Sequence, residues 1–125
     1  MIVISQPTYL PWIGYFSLID AAEYFIFLDD VQFDSRSWQQ RNRILINGKV
    51  NYLTIPVNKK GLSEQLINNT NIINNNVFEN HLLKIKHAYS KAKFFKEYYP
   101  KIEYILSNCK NMINLSEINI FIIQE

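Results

Sequence analysis

Glycine is scarce in this chain, with three residues in 125. Three scattered glycines cannot build a Walker A loop or a dinucleotide fingerprint, which need several close together so that backbone can approach phosphate. Cysteine is scarcer still, and Cys109 stands alone. No intrachain disulfide can form, and no Cys/His set suited to structural zinc exists. A reducing compartment fits such a chain. Long apolar runs are missing as well. No stretch nears the roughly 18 residues of a membrane-crossing helix. The opening MIVISQPTYLPW lacks a basic segment followed by a long apolar one, so it does not read as a signal peptide. The expectation is a soluble, cytoplasmic protein with no membrane span. An excess of one charge sign is also absent. The formal net charge is +2, and the lysines fall mostly between Lys84 and Lys110 at spacings of solvated helix faces. Nucleic-acid binders concentrate their cations in a dense patch, so nucleic acid is not an expected partner.

What is present is an ordinary globular composition. With 48% hydrophobic and 19% charged residues, the chain has enough apolar surface to fold and too little charge for disorder. Residues 1–125 are expected to form a single α/β domain.

The pattern along the chain supports that class. Ile2, Val3 and Ile4 suit a strand, ended by Pro7. Pro7 and Pro11 stiffen an extended loop. Ile13, Phe16, Leu18, Ile19 and Ala22 mark a helix over about 13–23. Tyr24 to Leu28 is an unbroken apolar run, read as a buried central strand that ends at Asp29-Asp30. Strand, helix and strand make a βαβ unit, for which parallel pairing and a right-handed crossover are expected. Ile44–Ile46, Asn47-Gly48 and Val50–Val57 read as a β-hairpin, because Asn-Gly tolerates positive φ at both turn positions. A short strand is expected over 66–73, then a helical C-terminal part. Helices are read over 77–92 and 94–108, the latter interrupted or restarted at Pro100. A third opens at Ser116 as N-cap. Its apolar Ile118, Ile120, Phe121, Ile122 and Ile123 run on without a closing cap. The reading is a chain truncated at its C-terminus or paired in a homo-oligomer.

Parallel strands open onto one edge, and open α/β sheets bind ligands in the crevice beyond the carboxyl ends of their strands. Gln6 and the pair Asp29/Asp30 should therefore face one crevice. One carboxylate would serve a ligand as general base, hydroxyl acceptor or Mg²⁺ ligand, while the other anchors backbone. Arg41 and Arg43 alternate along a strand and suit phosphate or carboxylate. Tyr9, Trp12, Tyr15 and Trp38 could stack on a sugar or base, or pack in the core. His81 and His87 lie six residues apart, on different faces of one helix. Cys109 reads as an inert thiol.

The segments QPTYLPWIGYFSLI, DDVQF, WQQRNRI and INGKVNYLTIPV, with the weaker run from Asn80 to Phe95, together resemble the WbqC-like family. The family pattern carried onto this chain covers Gln6, Pro7, Tyr9, Pro11, Gly14, Tyr15, Asp29, Asp30, Gln32, Trp38, Arg41, Asn42 and Lys49. Two helical positions depart from it: Phe78 stands where members often carry Trp, and Lys93 where a proline often follows. The resemblance implies a longer protein of bacterial O-antigen and related polysaccharide loci, with a role in adding an acyl or aminoacyl group, such as glycine, to a nucleotide-linked amino sugar. In that role Asp29 or Asp30 would be the base. Gln6 and Asn42 would orient hydroxyl or amide groups, and Arg41 would hold phosphate or carboxylate. Two rivals stand beside it: a Mg-dependent nucleotidyl- or glycosyltransferase-like enzyme, and a non-catalytic sugar-nucleotide binding module.

Overall fold

β1 (Ile2–Ser5) and β2 (Tyr24–Phe27) lie side by side and run parallel, with Ile2 opposite Tyr24 and Ser5 opposite Phe27. Their carboxyl ends emerge at one edge, and α1 (Ile13–Ala21) makes the crossover. A computed structural model describes all of residues 1–125. The sheet has only these two strands, so β2 is not a buried central strand. Tyr24 and Ile26 are exposed, as are their cross-strand partners Ile2 and Ile4 on the same face. The opposite face packs beneath α1, where Tyr15 meets the edge of Phe25 at 5.5 Å. An unbroken apolar run cannot distinguish a strand covered on both faces from one covered on a single face.

The hairpin's first strand begins at Arg41 rather than Ile44, and its second ends at Thr54 rather than Val57. β3 (Arg41–Ile46) pairs antiparallel with β4 (Lys49–Thr54). Asn47 (φ 51°) and Gly48 (φ 75°) both occupy the left-handed region, the combination that matches strand twist in a two-residue turn. Residues 66–73 do not form a strand. Ile67–Asn69 make a 3₁₀ turn, and only single bridges such as Val57–Ile72 and Asn71–Asn114 remain. Local polar side chains compete for the backbone there: Thr70 Oγ1 donates to the Leu66 carbonyl at 2.8 Å and Asn114 Nδ2 to the Asn68 carbonyl at 2.6 Å.

α2 (Val77–Tyr89) and α3 (Phe95–Asn108) follow, and α3 runs through Pro100 without a break. The carbonyl that Pro100 cannot bond belongs to Lys96, an exposed residue near the helix start, where solvent can substitute. α4 (Leu115–Gln124) is capped by Asn114, whose Oδ1 accepts the Glu117 N–H at 3.1 Å, rather than by Ser116. On its apolar face Ile120 and Phe121 are half-buried, while Leu115, Ile118 and Ile122 are buried in the chain's own core. That core joins them to Leu53, Ile55 and Val57, to Phe78 and Leu82 of α2, and to Leu106 of α3. Each such side chain contributes about 1.5–3 kcal/mol by burial. The hairpin and helices therefore hold the chain together, with the βαβ unit attached.

The attachment is a buried hydrogen-bond chain. Tyr9, fully buried, meets His81 Nδ1 at 2.8 Å, and His81 Nε2 meets the Thr54 carbonyl at 3.1 Å. A carbonyl only accepts, so Nε2 carries the proton and Nδ1 accepts from the phenol. Loop, hairpin and α2 are tied by three groups that satisfy one another. Burial pushes the His81 pKa down to about 4; the bond to Thr54 opposes the shift and the Lys84 charge adds to it.

Because His81 stays neutral in the fold, its contribution is complete above pH about 6.5, where the unfolded residue is also neutral. As pH falls toward 4 the unfolded chain binds a proton that the folded one refuses, and up to about 3 kcal/mol is lost. Urea unfolding from pH 7.5 to 4.5 should show this loss in the wild type. His81→Gln, which keeps a donor and an acceptor but does not titrate, should show a shallower dependence. Equal slopes in the two proteins would remove His81 as the cause.

Candidate functional site

A cleft of about 700 Å³ opens at the carboxyl edge of β1 and β2. Ser5, Gln6 and Thr8 leave β1 along one wall, Leu28 leaves β2, and Trp12 and Tyr15 approach from the start of α1. Trp38, Asn42 and Arg43 form the opposing wall. The two walls are joined by backbone, Tyr9 N–H donating to the Trp38 carbonyl at 2.9 Å.

Buried amides fix the polar groups. Asp34 N–H donates to Gln39 Oε1 at 3.0 Å, and a backbone N–H can only donate. Gln39 Nε2 must then be the donor to Gln6 Oε1, at 2.7 Å. The Gln6 NH₂ group is thereby left as a donor for a ligand. Gln40 is buried, accepting from Arg36 N–H at 2.9 Å and donating to the Ile55 carbonyl at 3.0 Å; it holds Arg36 at φ 67°. Asn119 reaches in from α4, its Nδ2 donating to the Gln39 carbonyl at 2.7 Å and the Pro7 carbonyl at 3.5 Å. Asn42 Nδ2 donates to the carbonyls of Tyr9 and Leu10 at 3.3 and 2.6 Å, and its Oδ1 accepts from Arg43 N–H. These bonds brace Leu10 at φ 48°, a conformation that costs a residue with a Cβ.

The surfaces left for a ligand are two indoles and one guanidinium. Trp12 and Trp38 are exposed by 69% and 49%. Arg43 Cζ lies 5.6 Å from the Trp38 ring centroid, a cation–π placement. Tyr15 is buried and donates its hydroxyl to the Gln6 carbonyl at 3.0 Å. Burial raises its phenol pKa, keeping it neutral. Arg43 is the sole ionisable cation of the lining, and no carboxylate or imidazole joins it.

Of the residues expected to share a site, Gln6, Trp12, Tyr15, Trp38 and Asn42 line this cleft. Asp29 and Asp30 do not. Asp29 Oδ2 accepts from Ser116 Oγ at 2.6 Å, anchoring α4, while Asp30 is exposed. Both aspartates lie beyond the end of β2, where Asp29 is half-buried and Asp30 faces solvent. Tyr9 is turned into the core. Arg41 lies over Tyr52, 4.5 Å from its centroid, leaving the cleft to Arg43. Gln32 donates to the Ser63 carbonyl at 3.3 Å, and Lys49 is exposed beside the hairpin turn. Sequence reasoning missed Gln39, Gln40 and Asn119 behind the lining. The available signal was the pair of amides directly after Trp38 in WQQRNRI.

The description "WbqC-like protein family" matches residues 6–125. The chain belongs to the WbqC-like family. It is also similar to "Uncharacterized protein Rv1507c" of Mycobacterium tuberculosis (strain H37Rv), 38% identical over 96 residues. That match covers 77% of this chain and 42% of the mycobacterial protein, so the chain spans less than half of that relative's length. No solved structure matches. No helix is long and apolar enough to cross a membrane.

Within this WbqC-like chain, Gly14 has a specific task. A Cβ there would overlap the ring of Trp12. Gly14→Ala should displace the indole, while the gain in helix propensity, up to about 1 kcal/mol, keeps the Tm level or raises it. In a Trp38→Phe background the emission of Trp12 alone should shift. Unchanged emission together with a lower Tm would show that the glycine serves the backbone instead.

Proposed function

We propose that the cleft binds a nucleotide-linked amino sugar, and that the protein serves bacterial cell-surface polysaccharide assembly by transfer of an acyl or aminoacyl group, such as glycine, to that sugar. The observation that carries this reading is the pairing of Arg43 with Trp38 beside a second exposed indole. It offers a cation for a diphosphate and flat apolar faces for a sugar or base. The cleft volume lies within the range of small-molecule sites. Gln6 NH₂ supplies a fixed donor for a sugar hydroxyl or acetamido oxygen. Family membership supports the polysaccharide setting.

In this reading Asp30 is the candidate base. It is exposed and lies two residues beyond Leu28, which lines the cleft. A binding module without chemistry of its own is the second reading, favoured by the lack of any carboxylate or imidazole in the lining. The Mg-dependent alternative has less support. Asp29 is engaged by Ser116, and no group of three or more His, Cys, Asp or Glu side chains is gathered to hold a metal.

Calorimetric titration with UDP- and dTDP-amino sugars, with and without Mg²⁺, tests the site. Metal-independent binding is expected, weakened roughly tenfold by Arg43→Ala, about the worth of one charge-assisted contact. Equal affinity in wild type and variant, or binding that requires Mg²⁺, would contradict the assignment. Turnover in an acyl-transfer assay with Asp30→Asn then separates the two readings: loss supports the transferase.

A further inference from the structure

A second cavity, of about 430 Å³, lies between the hairpin and the α2–α3 corner. It has no part in the sugar reading. Twelve residues line it, eleven of them hydrophobic, and Lys93 is the remaining one. Its floor is aliphatic, formed by side chains such as Ile44, Leu53, Ile85 and Ile102. Two of its aromatic residues carry cations. Lys93 Nζ lies 5.1 Å from the Phe94 ring centroid, and Lys101 Nζ lies 5.2 Å from that of Tyr98. Phe94 and Tyr98 themselves pack edge to face at 6.4 Å. Lys93 thus lines the cavity itself, Lys101 stands outside the lining beside the Tyr98 ring, and no carboxylate lines the cavity.

An apolar cavity of this size excludes sugars and nucleotides, whose hydroxyls and phosphates would lose water without gaining partners. Charge complementarity calls for an anion beside the rings and hydrocarbon within. We propose that this cavity binds the alkyl chain of a single-chain anionic amphiphile, with its carboxylate or phosphate end beside Lys93 and Lys101. The cavity and the sugar cleft are neighbours along the chain: Leu10 lines the first and Pro11 the second. The inference stands on the cavity alone and does not depend on what the cleft binds.

The test is calorimetric titration of the full chain with hexanoate, octanoate and decanoate below their micelle concentrations, with decyl phosphate and decanol as head-group arms. Burial of one more methylene should tighten binding about fourfold, so affinity should climb along the carboxylate series. Decanoate or decyl phosphate should bind at least fivefold more tightly than decanol, and the tighter of the two identifies the preferred head group. Lys93→Glu should remove that preference. Ala92→Trp, at an exposed lining position, should block the chain while leaving the thermal melt unchanged. The proposal is overturned by affinity that does not vary with chain length, by equal binding of decanol, or by full binding in Ala92→Trp. Attachment to phosphatidylglycerol vesicles without binding of monomeric decanoate would also overturn it, assigning the basic aromatic face to a membrane surface.

Discussion

The bond between the Tyr9 phenol and the His81 imidazole is the constraint on which the rest of the structure depends. Both groups are buried, and each would be costly to bury alone, by about 1–3 kcal/mol for an orphaned donor or acceptor. Together with the Thr54 carbonyl they satisfy one another, the phenol donating to one imidazole nitrogen and the other nitrogen donating to the carbonyl. The consequence is positional. Tyr9 sits in the middle of the loop that leaves β1, so fixing it fixes where Gln6, Thr8 and Trp12 stand around it. The βαβ unit contributes little to the main core, yet this side chain ties it to α2 and, through His81, to the hairpin.

A second tier of buried and half-buried amides converts that registration into a site. Asn42 holds the Tyr9 and Leu10 carbonyls, Gln39 orients Gln6, and Asn119 ties the Gln39 and Pro7 carbonyls to α4. Loops lack the repeating bonds of helices and strands, so a loop-built cleft needs side chains to supply them. Amides suit the task because each offers both a donor and an acceptor without charge. The ionisable groups are divided accordingly. Arg43 remains at the cleft, whereas Asp29 is used to anchor the start of α4.

Much of the architecture was legible in the sequence. The parallel βαβ unit followed from two β-branched and aromatic runs separated by a helix-length segment, and the hairpin followed from Asn47-Gly48. The corrections have physical causes. Tyr24–Leu28 reports apolarity without saying how many faces are covered, so β2 was expected to be more buried than it is. The segment 66–73 has strand-like Ile content, but its Asn and Thr side chains capture backbone groups. Pro100 falls early enough in α3 for the helix to absorb it. At the site, strand-end geometry pointed to the crevice, and Gln6, Trp12, Tyr15, Trp38, Asn42 and Arg43 line it. It did not say which way each side chain turns. Tyr9 is directed elsewhere by His81, which lies far along the chain, and Arg41 by Tyr52 in the facing strand of the hairpin. Asn119 is separated from Pro7 by 112 positions, beyond any local pattern.

The direction of the hydrogen bonds through His81 fixes how the Tyr9 loop is held, and nitrogen-15 NMR of the imidazole reads that direction. The Nε2–H tautomer is required, with Nδ1 as acceptor, and the ring should remain neutral from pH 7.5 to about 5. A ring protonated on Nδ1 at neutral pH, or one that titrates near 6.5 like an exposed histidine, would contradict it.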